Sequence, residues 1–146
     1  MIKRIDLHSE QDTIDLANYI APLLSLGSVL TLSGDLGSGK TFFVKALGRF
    51  LGIQEQIDSP SFVLLKEYLC GRYPLYHLDL YRLNSEDELL DLGLLDMLES
   101  GITVIEWPRL AEKILPYQTI RLNFRFDAEN RYVEIIPDPK LEEHFS

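Results

Sequence analysis

Leu30-Thr31-Leu32-Ser33-Gly34-Asp35-Leu36-Gly37-Ser38-Gly39-Lys40-Thr41 reads as a short buried strand, a glycine-rich turn and the start of a helix. Gly34 to Thr41 satisfies G-x-x-x-x-G-K-[ST], the phosphate-binding loop of nucleoside triphosphatases. Gly34, Gly37 and Gly39 let the backbone turn its N–H groups toward one centre, and the helix that follows presents its positive end there. In that loop Lys40 is a point charge for the β- and γ-phosphates, and Thr41 offers a hydroxyl to Mg²⁺. A glycine turn followed by a helical lysine is the plainer reading. The apolar residues before the loop (Val29, Leu30, Leu32) and the helix-compatible run from Phe42 to Phe50 after it favour the phosphate loop.

A length of 146 residues suits one domain able to bury roughly two-thirds of its unfolded surface. Apolar content of 46% and charged content of 25% are those of an ordinary soluble domain. The N-terminus turns acidic and amphipathic at once, unlike a secretory signal, and no apolar run reaches membrane-spanning length. Cys70 is the single cysteine, which excludes an internal disulfide and fits a cytoplasmic protein. A net charge of −9, with no basic run, disfavours direct attraction to DNA, RNA or an anionic membrane and points to a protein partner.

Upstream of the loop, Ser9 caps a predicted helix from Glu10 to Leu24, with Ile14, Ala17, Ile20 and Leu24 on its buried face and Pro22 weakening its end. Downstream, Phe43, Leu47 and Phe50 mark the core face of the loop helix. Val63 to Leu69 and Tyr73 to Leu80 then form a hairpin around Cys70-Gly71-Arg72. Asn84-Ser85 opens two short helices broken at Gly93. Ile102 to Ile105 is a β-branched strand, a helix is expected near Leu110 to Leu115, and Tyr117 to Phe126 pairs with Arg131 to Ile136 through Asp127-Ala128-Glu129-Asn130. The expected organisation is one domain over 1–137 and a polar, flexible tail over 138–146.

A phosphate loop needs acids to hold Mg²⁺ and position water. Two apolar runs end on one: Leu75-Tyr76-His77-Leu78 on Asp79, and Ile102-Thr103-Val104-Ile105 on Glu106. Both emerge on the phosphate side if their strands run parallel to the one before Gly34; otherwise they are strand-end acids facing solvent. The residues leave open which acid ligates metal directly and which acts through water. Ser61, in Ser59-Pro60-Ser61-Phe62, has a hydroxyl for the γ-phosphate, for a metal-bound water or for its own turn. His77 reads as a hydrogen-bonded structural residue, and Trp107-Pro108 as a packed turn.

Together, Gly34 to Thr41, Ser59-Pro60-Ser61-Phe62, His77-Leu78-Asp79-Leu80-Tyr81-Arg82-Leu83 and Ile105-Glu106-Trp107 resemble, in order and spacing, the TsaE (YjeE) family of bacterial P-loop ATPases. The resemblance spans about Ser9 to Ile136. It implies a three-layer α/β P-loop nucleoside triphosphate hydrolase fold with a mixed central sheet and antiparallel hairpins. It also implies Mg²⁺-dependent ATP hydrolysis, slow in the isolated subunit. The implied process is threonylcarbamoyladenosine modification of adenosine 37 in tRNAs reading codons that begin with A. The partners implied are TsaB and TsaD, with tRNA engaged only through that complex.

Carried over by position, Lys40 contacts phosphates, Thr41 and Glu106 are the metal residues, and Asp79 is the acid needed for hydrolysis. Ser61 stands where the family commonly has threonine. Asp35, Leu36, Gly37, Ser38, Gly39 and Phe42 join Lys40 and Thr41 around the nucleotide, and Ser9 and Arg131 occupy the places before the first helix and in the last hairpin that the family also uses there. Two other functions compete. A small-molecule or nucleoside kinase shares the loop but needs an arginine-bearing lid, and Arg82 is the only arginine between Asp79 and Arg109. A nucleotide-gated binding module would hydrolyse little ATP.

Overall fold

A computed structural model of the chain describes residues 2–35, 39–60 and 64–136. Its elements in chain order are β1 (Lys3–Asp6), α1 (Glu10–Ile20), β2 (Val29–Ser33), α2 (Lys40–Phe50), β3 (Leu65–Tyr68), β4 (Leu75–Asp79), α3 (Glu86–Asp91), α4 (Leu94–Ser100), β5 (Ile102–Glu106), β6 (Ile120–Asp127) and β7 (Asn130–Ile136). Among the described residues the seven strands form one sheet in the order β1-β7-β6-β2-β5-β4-β3.

The sheet is mixed. The central strand β2 pairs in parallel with both β5 and β6, and β4 pairs in parallel with β5. The two hairpins, β3–β4 and β6–β7, and the edge pair β1–β7 are antiparallel. β2 and β5 read as nearly unbroken apolar runs because helices cover the sheet on both faces. On one face Leu30, Leu32, Leu75, Val104 and Leu122 pack against Leu16, Ile20, Phe43 and Leu47 of α1 and α2. On the other, Val29, Leu78 and Ile105 pack against Leu89, Leu94 and Met97 of α3 and α4. This is the three-layer α/β arrangement expected from the sequence.

Several boundaries differ from expectation. α1 stops at Ile20, and Pro22 sits within a 3-10 turn, Ala21–Leu23, because proline has no N–H to continue the α-helical ladder. Its buried face is Thr13, Leu16, Ala17 and Ile20, with Ile14 only partly covered. Phe50, expected in the core of α2, is 37% exposed, and Val44 and Gly48 take the inward positions with Phe43 and Leu47. The helix expected near Leu110 to Leu115 is a 3-10 turn over Pro108–Ala111, and β6 begins at Ile120 rather than Tyr117. β1 had no sequence signal; it lies on the sheet edge against β7. The tail expected over 138–146 lies outside the described residues.

Candidate functional site

The parallel strands deliver their carboxyl ends to one side of the sheet, where open α/β sheets bind ligands. Ser33 ends β2 and runs into Gly34 and Asp35, and α2 begins at Lys40 after Gly39, whose φ is +103°. That left-handed backbone is open to glycine at little cost, and nothing lies within 4 Å of where a Cβ would stand. Leu36, Gly37 and Ser38, expected in the loop, and Ser61, expected beside it, lie outside the described residues.

β4 and β5 bring the two acids to the same edge. Asp79 and Glu106 are paired across the parallel ladder, and Leu32 of β2 pairs with Glu106 on its other side. Both acids are buried. The Asp79 Oδ1 accepts a hydrogen bond from the Tyr81 N–H at 2.9 Å, which fixes the turn leaving β4. The Glu106 Oε2 lies 2.6 Å from His77 Nε2. Backbone bonds from Leu80 N–H to Glu106 O and from Trp107 N–H to Leu32 O tie the three strand ends together.

Lys40 is only 5% exposed. Its Nζ donates to the Gly34 carbonyl at 2.5 Å and stands 4.1 Å from the centre of the Trp107 ring. Burial pushes the Lys40 pKa below its ordinary value, against the opposing pull of Glu106, then Asp79, then Asp35. Trp107 adopts φ +56°, rare for a bulky residue, and its ring lies against Tyr81 with centroids 5.0 Å apart. Sequence reading took it as a packed turn; the structure also places it against the loop lysine.

On the other flank, Ser9, Gly39, Phe42, Asn130 and Arg131 line one cavity of about 700 Å³. The structure thus brings Ser9 and Arg131, far apart in sequence, beside the first turn of α2, which also carries Thr41. Ser9 caps α1 by accepting from Asp12 N–H, while Asp12 Oδ2 accepts from His8 N–H. Asn130 was not anticipated; its place in the hairpin turn gave no chemical signal. A second cavity of about 590 Å³ opens between Gly34, Tyr81, Trp107 and Arg109. Among the described residues, no three of His, Cys, Asp and Glu gather so as to hold a metal by themselves. No helix among them is long and apolar enough to cross a membrane.

A strand, glycine turn and helix presenting a buried lysine, beside acids at the ends of neighbouring parallel strands, define a P-loop nucleotide-binding protein. The family described as threonylcarbamoyl adenosine biosynthesis protein TsaE matches residues 7–133. The chain belongs to the TsaE family. It is 43% identical over 129 residues to the tRNA threonylcarbamoyladenosine biosynthesis protein TsaE of Treponema pallidum, covering 87% of this chain and 95% of that one. It is likewise 43% identical over 140 residues to the protein of that name from Nostoc, covering 92% and 85%. The crystal structure of YdiB from Bacillus subtilis superposes with a TM-score of 0.75 at 30% identity, over 100% of this chain and 99% of that one.

Proposed function

We propose that the chain is the Mg²⁺-dependent ATPase subunit of a cytoplasmic machinery that installs threonylcarbamoyladenosine at adenosine 37 of tRNAs reading codons that begin with A. Its partners are TsaB and TsaD, and tRNA is met through them. The observation that carries this reading is the convergence of Lys40, at the start of α2, with Asp79 and Glu106 at the ends of β4 and β5. Family membership supplies the pathway.

The donor chemistry fits Mg²⁺. Two buried carboxylates and the Thr41 hydroxyl are hard oxygen ligands, and two acids against one buried ammonium leave negative charge for a divalent cation to balance. Mg²⁺ commonly takes few protein ligands and completes its shell with phosphate and water. Thr41 and Glu106 would hold it, and bound Mg²⁺ supplies charge neutralisation at the phosphates.

Lys40 leaves Gly34 to contact the β- and γ-phosphates, with the backbone of Asp35, Leu36, Gly37, Ser38 and Gly39 around them. Asp79 orients the attacking water, and Ser61 offers its hydroxyl near the γ-phosphate. Phe42, Ser9 and Arg131 bound the rest of the nucleotide from the 700 Å³ cavity.

The test is reconstitution. Purified chain mixed with TsaB and TsaD should hydrolyse ATP faster than alone and sustain multiple rounds of tRNA modification. Unchanged turnover and modification at saturating Mg²⁺ and ATP would refute the reading.

A further inference from the structure

We propose that His77 is a positioning residue for Glu106, holding one carboxylate oxygen in place so that the other is presented for metal binding. The inference rests on the Mg²⁺ reading above and adds a residue to it. His77 lies in the middle of β4, fully buried, two residues before Asp79 and on the same face of the sheet. Its Cα partner on β5 is Val104, two residues before Glu106. The two-residue alternation of neighbouring parallel strands therefore stacks His77 one step below the acid pair, and its Nε2 reaches Glu106 Oε2 at 2.6 Å.

Packing alone does not account for an imidazole here. The surrounding face is apolar, with Leu30, Leu32, Leu75 and Val104 on it. A leucine there would be buried without desolvating a ring, whereas the imidazole leaves Nδ1 buried with no hydrogen-bond partner. What the imidazole supplies and a leucine lacks is the bond to Glu106. An ionised carboxylate only accepts, so Nε2 carries the hydrogen of this bond. The ring thus aims its Nε2–H at one oxygen of a side chain that has three rotatable bonds of its own. Outer-shell groups of this kind orient metal-binding carboxylates, and their loss typically weakens metal affinity or activity by about 10- to 100-fold.

The experiment compares His77→Leu, His77→Gln and Glu106→Gln, reading Mg²⁺-dependent turnover in the assembled complex together with calorimetric ADP affinity with and without Mg²⁺. His77→Leu should keep its melting temperature and its Mg²⁺-free ADP affinity. It should need about tenfold or more additional Mg²⁺ for half-maximal turnover and lose much of the affinity that Mg²⁺ adds. His77→Gln, whose amide N–H can stand near the position of Nε2, should recover part of that loss. A wild-type Mg²⁺ requirement in His77→Leu beside an impaired Glu106→Gln would overturn the positioning role and leave the metal reading intact. An unimpaired Glu106→Gln would overturn both. Nitrogen-15 spectra of the metal-free wild-type protein give a check that needs no variant to fold: a hydrogen on Nε2 supports the proposal, and a hydrogen on Nδ1 with none on Nε2 sinks it.

Discussion

Asp79 and Glu106 end adjacent strands at matched positions, 4% and 3% exposed, so the fold holds two acids side by side away from water. Lys40 is the cation they pull on. Like charges so placed tend to destabilise the empty protein, and a bound cation reverses that. Asp79→Asn and Glu106→Gln keep shape while removing one charge each. Each should leave the metal-free melting temperature unchanged or raised, and lower Mg²⁺-dependent turnover by about 100-fold, on the order of 3 kcal/mol of transition-state stabilisation. Thermal melts and steady-state ATPase assays in the assembled complex check both halves.

Lys40→Met should abolish the rise in melting temperature that ATP gives the wild type, a rise equivalent to about 2.7 kcal/mol at a hundredfold excess over Kd. Without ligand it should be at least as stable as wild type at neutral pH, because burying the ammonium opposes folding. The folded Lys40 pKa lies below its unfolded value. In the window between those two values the unfolded chain therefore binds more protons than the folded one, and stability from this group rises with pH. The deficit of wild type relative to Lys40→Met should be largest below the folded pKa and shrink as pH climbs through the window toward 10.5. Paired denaturant titrations across that range measure it.

Ser9 combines a cap with a cavity wall, and the two can be separated. Ser9→Ala removes the acceptor for Asp12 N–H and should cost about 1 kcal/mol in folding stability. Ser9→Asp restores the cap and the stability but places a negative charge in the cavity shared with Arg131 and Gly39, so ATP affinity should fall several-fold. Urea melts and fluorescent-nucleotide titrations distinguish them.

Gly101 precedes β5 with an extended backbone, yet a Cβ there would stand 2.5 Å from the Pro74 carbonyl oxygen. That oxygen accepts from Ile102 N–H at 2.8 Å, the first bond of the β4–β5 ladder, and is backbone that cannot rotate aside. Gly101→Ala should destabilise by about 1–3 kcal/mol, seen as a lower urea midpoint at unchanged slope.

Much of this architecture was legible because its signals are local. The loop glycines, the β-branched run of Ile102 to Ile105 and the turn residues around Gly71 each state their own conformation, and Asp79 and Glu106 could be placed as strand-end acids. β1 could not, because Lys3–Asp6 carries a single apolar residue, Ile5, beside Lys3, Arg4 and Asp6, and becomes a strand by pairing with β7, some 130 residues away. The His77–Glu106 contact was half visible. The two-residue spacing to Asp79 puts His77 on the right face, but which strand lies alongside is decided by sheet order. Trp107 was opaque: nothing in its residue type announces φ +56°, which follows from leaving β5 sharply while tied to Leu32.

The bond from Lys40 to the Gly34 carbonyl ties the loop lysine back onto its own backbone. Any ligand that draws the ammonium away must first replace that contact, and a charged hydrogen bond is worth about 1.5–3 kcal/mol, or roughly ten- to a hundredfold in affinity. On the proposed ATPase reading, a single phosphate, with few other contacts to offer, would displace it poorly. A polyphosphate that also engages the backbone and a metal would overcome it, so the loop would discriminate by the number of contacts a ligand brings.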